Sequence, residues 1–219
     1  IFESKNQKVS SVVNGFISSR RIPHAIMIEG ENSGANLELA NYIAAASVCN
    51  SDNAPCKACQ NCHLADIDSH PDIAVITPLE GKKFLSVDQI RELRAEAFVK
   101  PHQAANRVFI IEDASRMNPQ AQNALLKVLE APPAYGVFIL LTDNPQKLLP
   151  TVRSRCTELA LQPLSEEILR SALAKEFPDA EAEAVSAAIS RSGGYLGQAK
   201  QLLEEGAAIA PQTESLMQS

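Results

Sequence analysis

Tryptophan is absent from this 219-residue chain, and aromatic residues make up only 5% of it. Aliphatic side chains must therefore build the core, from an ordinary hydrophobic content of 45%. Long apolar runs are missing too: no stretch approaches the roughly 20 residues that span a bilayer. No signal-peptide pattern is visible, and a chain that starts at Ile1 without Met reads as trimmed. An excess of basic charge is also lacking. The 20 Lys and Arg against 26 Asp and Glu leave a formal charge of −6. That argues against a free-standing DNA binder, though not against DNA held jointly with basic partners. A disulfide framework is disfavoured by five cysteines, an odd number with four of them clustered. A reducing compartment and a metal fit that pattern better.

The length suits one good core plus a smaller domain. Residues 6–20 place Val9, Val12, Val13, Phe16 and Ile17 on one helical face. Ala25–Glu29 reads as a short strand, followed by an Ala-rich helix over 36–48 with Leu37, Leu39, Ala40, Ile43 and Ala44 facing inward. A short helix near 57–68 and a strand at Asp72–Thr77 follow the cysteines. Ser86-Val87-Asp88-Gln89 predicts a capping box opening a helix to about Val99. Arg107–Glu112 and Gly136–Thr142 are near-continuous apolar runs, as expected of strands covered on both faces. Between them Asn118–Ala131 is helical, stopped by Pro132-Pro133. A short helix over Leu148–Arg155 precedes a last strand at Thr157–Leu161. Strands alternating with helices imply a parallel, helix-covered α/β sheet over residues 1–162. From 163 to 219 the strands stop, and Ser165–Phe177, Asp179–Ser192 and Leu196–Glu205 predict a small three-helix domain.

Cys49, Cys56, Cys59 and Cys62 stand in CNSDNAPCKACQNC with the spacing C-x6-C-x2-C-x2-C. A C-x2-C step brings two sulfurs to one ion from a tight turn, and Zn²⁺ prefers four such ligands in a tetrahedron. Four thiolates leave no open position, so the expected zinc is structural. His63 is a rival fourth ligand, and its adjacency to Cys62 makes shared geometry awkward. Free or paired thiols are the bland alternative, and an iron–sulfur cluster a minor one. A zinc-dependent nucleic-acid module is a further reading. It is weakened because Lys57 is the only basic residue between Cys49 and Cys62.

Just upstream, IMIEGENSGANLELA has the layout strand, glycine-bearing loop, helix. A phosphate loop needs G-x-x-x-x-G-K-[ST], whose lysine neutralises phosphate and whose hydroxyl holds the metal. Gly30 is in place, but Ala35, Asn36 and Leu37 occupy the second glycine, lysine and Ser/Thr positions. Neutral Asn36 supplies no charge and Leu37 cannot bind Mg²⁺, so the scaffold reads as a nucleotide site without tight ATP binding. Glu112-Asp113 ends the next apolar strand, where nucleotide hydrolases place their metal-water acids. With Asn36 and Leu37 upstream, the reading preferred is that Asp113 caps a turn and Glu112 faces solvent. Thr142 sits where a γ-phosphate sensor would lie, or bonds its own backbone. Arg155, in Ser154-Arg155-Cys156, follows a short polar helix expected at the surface. From there it can reach a neighbour's γ-phosphate; an ordinary surface arginine would only make a local ion pair.

Arg21-Ile22-Pro23-His24-Ala25, the four cysteines, His70-Pro71-Asp72, Asn123 to Pro133, Asn144-Pro145-Gln146-Lys147-Leu148 and Ser154-Arg155-Cys156 resemble bacterial sliding-clamp loaders. These are AAA+ proteins of the DNA polymerase III holoenzyme, and the likeness covers essentially the whole chain. It implies an AAA+ sheet with an inserted zinc module and a helical lid. The gamma and tau motors keep the phosphate-loop Lys and Thr, where this chain has Asn36 and Leu37. The lid's ATP-sensing arginine would fall at Gly197. Both departures look like the non-hydrolysing delta prime branch. The resemblance then implies a cytoplasmic subunit of the polymerase (a transferase) with no ATPase of its own, acting beside gamma/tau-like motors and delta. Arg155 would act in trans on a partner's ATP, and the complex would load a sliding clamp on primed DNA. The family's third, oligomerisation domain is missing from this sequence, which reads as an N-terminal two-domain fragment. A gamma/tau-like motor is the alternative.

Overall fold

The structure is a computed structural model and describes residues 6–30, 34–79, 81–82, 84–178, 180–196 and 198–204. Gly197, the expected lid sensor position, lies outside them. Five strands, β1 (Ala25–Glu29), β2 (Ile73–Ile76), β3 (Arg107–Ile111), β4 (Gly136–Thr142) and β5 (Thr157–Ala160), form one sheet in the order β2-β3-β4-β1-β5. Every pairing is parallel. Each crossover therefore needs a long connection, which the helices supply. All of β3 and β4 is buried, as expected of a strand covered on both faces.

The helices before the last strand are α1 (Gln7–Ser18), α2 (Ala35–Val48), α3 (Gln60–Asp66), α4 (Val87–Ala97), α5 (Pro119–Glu130) and α6 (Pro150–Arg153). Helices α1 and α2 cover one face, where Val13, Ile17, Leu39 and Ile43 meet Ile26, Ile28, Val108 and Ile139. Helices α4, α5 and α6 cover the other, where Ile90, Leu93, Leu125 and Val152 meet Met27, Phe109 and Phe138. The two phenylalanines stack with centroids 5.4 Å apart. Val12 departs from the expected inward face of α1 and is 43% exposed. At 100° per residue, Val13 and Ile17 share the buried stripe and Val12 falls beside it.

The expected capping box is present: Ser86 Oγ accepts from Gln89 N–H, and Gln89 Oε1 accepts from Ser86 N–H. Asp72 holds a longer-range junction. Its carboxylate accepts from the N–H groups of His102, Gln103 and Ala104 at 2.6–2.9 Å. This ties the start of β2 to the loop leading into β3. A separate cluster of Leu164, Leu169, Leu173, Ile189 and Leu203 is built by the segment just before α7, α7 (Glu166–Glu176), α8 (Ala182–Arg191) and helical residues within 198–204. Among the described residues, no helix is long and apolar enough to cross a membrane.

Candidate functional site

The four expected metal ligands come together. Cys49 caps the C-terminus of α2, Cys59 caps the N-terminus of α3, and Cys62 lies in its first turn. The Sγ atoms of Cys49, Cys56, Cys59 and Cys62 all lie within 4.8 Å of one another. Two of the separations are 3.9 Å (Cys49 to Cys59) and 4.0 Å (Cys56 to Cys62). Zinc at about 2.3 Å from each sulfur needs sulfurs about 3.8 Å apart, so the cluster has the size of a tetrahedral zinc shell. Backbone N–H groups of Ser51 and Cys62 donate to Cys49 and Cys59 sulfur at 3.4 Å, as suits thiolates. Lys57 turns the Cys56–Cys59 knuckle with φ of 55°. His63 is exposed and outside the cluster.

The thiols' environments diverge. Backbone N–H groups of Ala58 and Cys59 pull Cys56 down to about 6, whereas burial pushes Cys62 up to about 12. A dication held by these four residues would let all of them ionise together. The donor set and spacing fit structural zinc. The module is fastened to the sheet domain by Asn61 Nδ2 donating to Val48 O at 2.7 Å and by Arg20 donating to Ser51 O at 2.7 Å.

At the carboxyl edge of the sheet, Gly30, Glu112 and Thr142 end or follow β1, β3 and β4. Gly30 N–H donates to Thr142 O at 3.0 Å. Asn36 is only 1% exposed, its Nδ2 has no partner, and its side chain stands 3.5 Å from where a Gly30 Cβ would be. Leu37 packs against the apolar face of the sheet. The hollow between Gly30, Asn36, Leu161, Gln162, Gly194 and Tyr195 is about 20 Å³. Leu164 N–H donates to Gly194 O at 2.7 Å, and Gly194 has φ of 95°. A Cβ there would stand 2.6 Å from Pro163 Cβ, so glycine permits this close approach.

Glu112 is half-buried rather than facing solvent, because its N–H still bonds Ile76 O and keeps it against the sheet. Burial, with Asp113 alongside, pushes its pKa up. Asp113 does start a turn, at φ of 49°, and pairs with Arg116 at 3.2 Å. Thr142 is fully buried, and its hydroxyl accepts from Asn144 N–H at 3.1 Å, the local alternative to a sensor. Arg155 is partly exposed and held. Nη2 pairs with Glu130 at 3.0 Å and Nη1 donates to Thr151 O at 2.9 Å. Its neighbour Arg153 pairs instead with Glu158 and Gln146. Glu130, at the end of α5, was not singled out by sequence reasoning. Its only sequence signal was membership of the Asn123–Pro133 motif.

A parallel sheet in this order, with a glycine turn and acidic residues on its carboxyl edge, defines an AAA+-type fold carrying a cysteine centre. A Thermotoga maritima DNA polymerase III gamma subunit-related protein shares that fold, with a TM-score of 0.56 at 23% identity over 78% of this chain and 52% of that one. The family described as "DNA polymerase III, delta subunit" matches residues 5–165. The DNA polymerase III subunit delta' of Pseudomonas aeruginosa is 34% identical over 185 residues, 84% of this chain and 56% of that protein. Subunit gamma/tau of Mycobacterium tuberculosis is 31% identical over 171 residues, 77% of this chain and 29% of that protein. The chain belongs to the DNA polymerase III delta-subunit family. It spans about half the length of its delta' relative.

Proposed function

We propose that this chain is the AAA+ part of a non-hydrolysing, delta prime-like clamp-loader subunit that presents Arg155 to the ATP of a neighbouring motor subunit. The observation that carries this reading is the neutral, buried side chain at the phosphate-lysine position. Asn36 stands against Gly30 where a phosphate-binding lysine would project, and Leu37, at the metal-holding position, packs into the apolar face of the sheet. A subunit so built offers neither a cation nor a hydroxyl at the two positions that hold phosphate and metal. Arg155 is directed elsewhere, at the surface beside Glu130. Its remaining guanidinium donors, or an exchange of Glu130 for phosphate, would complete a partner's site.

In this reading residues 1–162 form the AAA+ unit and 163–219 the lid. Zinc holds the 49–70 module, and gamma/tau-like motors and delta flank the chain. The complex opens a sliding clamp and loads it on primed DNA in the cytoplasm. A working motor is the second reading, favoured by the gamma/tau relative at 31% identity. Calorimetric titration with Mg-ATP separates the two. The delta prime reading expects no saturable binding at micromolar concentration. Tight binding, with turnover lost on altering Glu112 or Asp113, would establish the motor instead.

A further inference from the structure

Strand β2 is an edge strand of the sheet, and among the described residues its outer side is built unlike a protected edge. Natural edges are blunted by charge, proline or a covering segment. Here Ile73–Ile76 is wholly apolar, and Val75 at its middle is 47% exposed. The pairing with β3 uses the carbonyls of Asp72 and Ile76, which accept from Val108 and Glu112 N–H. By alternation, the N–H and C=O of Val75 and the N–H of Thr77 face outward.

A hollow opens on each side of this edge. On the α4 face a groove of about 300 Å³ runs between β2 and α4, floored by Phe109 and Leu93 and rimmed by Gln89, Glu92 and Glu96. On the α2 face a smaller hollow of about 30 Å³ is lined by Asn41, Asp68, His70 and Val75. His70 is 4% exposed, and its Nε2 has no partner. Successive side chains of a strand point to opposite faces. An extended segment laid along β2 would therefore drop alternate side chains into the two hollows.

We infer that the β2 edge is a docking site for an extended, basic–apolar segment of a partner protein, added to the sheet as a sixth strand. Main-chain bonds to Val75 and Thr77 would hold the segment, and the hollows would choose its side chains. Charge decides the occupant. Glu92, Asp68 and Glu96, the last paired with Arg107, line the two hollows, and among the described residues no lysine or arginine lines either. A lysine or arginine stem can lie over the part-exposed Ala74 and Ile76 with its head at Glu92.

The test titrates the 219-residue chain with a blocked heptapeptide of alternating valine and lysine, alongside its valine–glutamate counterpart. Calorimetry reads affinity, and amide exchange reads the site. The lysine peptide should bind and protect the Val75 and Thr77 amides, and the glutamate peptide should not. Val75→Pro removes the outward N–H while sparing the ladder to β3, a place where edge strands tolerate proline. It should weaken binding by about fivefold to a hundredfold. Glu92→Lys, on an exposed side chain, should weaken it by several-fold at low salt and erase the preference for lysine over glutamate. It keeps the test sound should Val75→Pro loosen the strand. Equal binding of both peptides, protection elsewhere, or indifference to both substitutions would overturn the proposal. Protection of Val75 that rises with protein concentration and without peptide would overturn it in favour of a second copy of the chain.

Discussion

Removing the metal from the four-cysteine centre should open residues 49–70 and leave the sheet intact. The geometry supplies the reasoning. Two sulfur pairs stand at 3.9 and 4.0 Å, close to the edge of a zinc tetrathiolate. Besides the metal, the segment is held by Asn61, by Arg20 on Ser51 and Asp52, and by Ala54 and Ala65 packed on the core. Structural zinc in small peptides contributes about 10–16 kcal/mol of apparent binding energy. Only the part exceeding the cost of ordering the module is passed to the rest of the chain. If free zinc stands about a thousandfold above its dissociation constant, linkage gives about 4 kcal/mol. At about 2–4 °C per kcal/mol for a chain of this size, chelation lowers Tm by at most about 8–16 °C. The assay pairs elemental analysis of anaerobically purified protein with hydrogen exchange before and after a chelator. One zinc per chain is expected, with protection lost across 49–70 and kept in β1, β3 and β4. Cys62→Ser should mimic chelation. Protein without stoichiometric metal, or a 49–70 segment indifferent to chelation, would refute the reasoning.

Other outcomes follow from single contacts. Burial alone would raise the Asp72 pKa, but the N–H bonds from His102, Gln103 and Ala104 outweigh it and the net shift is downward. A depressed carboxylate contributes stability that is complete above its unfolded pKa, about 4, and is lost as pH falls through the lower folded value. Asp72→Ala should therefore cost about 3 kcal/mol at pH 7, and its difference from the parent should shrink in acid melts. Gly194→Ala should destabilise by about 2–4 kcal/mol, from strain at φ of 95° and the 2.6 Å approach to Pro163, seen as faster exchange in α7 and α8. Asn36→Lys with Leu37→Thr should leave Mg-ATP affinity weaker than micromolar in calorimetry, because Ala35 still occupies the second glycine position and Gly197 supplies no cation.

Much of the sheet was legible because burial on both faces writes itself into consecutive apolar residues. Arg107–Ile111 and Gly136–Thr142 are the clearest cases, and both lie wholly inside. Strand ends were overrun by a residue or two, as at Asp72 and Leu161, which each keep one backbone bond to the neighbouring strand, Asp72 O from Val108 N–H and Leu161 N–H to Glu29 O, beyond the last paired residues. The helix expected over Leu148–Arg155 shortened to Pro150–Arg153, since Pro145 starts a separate turn at 145–147 and Pro150 restarts the chain. The cysteine centre was legible because its ligands lie within one short segment. Contacts between distant segments were not. Nothing local to Arg155 announces Glu130, and nothing local to Asp72 announces residues 102–104. Arg107 was read as a strand opener; it is buried against the Phe109 ring and pairs with Glu96.

The most direct test of the account is ATP hydrolysis by a complex assembled from motor subunits and this subunit with Arg155→Ala. A trans arginine contributes about 10³–10⁵ in rate at its own site. In a ring with several sites the net loss should be smaller, about tenfold or less, in both DNA-stimulated ATPase and clamp loading. Zinc content, melting temperature and assembly should stay unchanged, since a half-exposed ion pair with Glu130 contributes little to folding. Arg155→Lys should rescue poorly, lacking the planar fork that matches phosphate oxygens. Arg153→Ala should be nearly silent, because that side chain is committed to Glu158 and Gln146. Complexes of Arg155→Ala that hydrolyse ATP and load clamps at the parent rate, or greater damage from Arg153→Ala, would contradict the account.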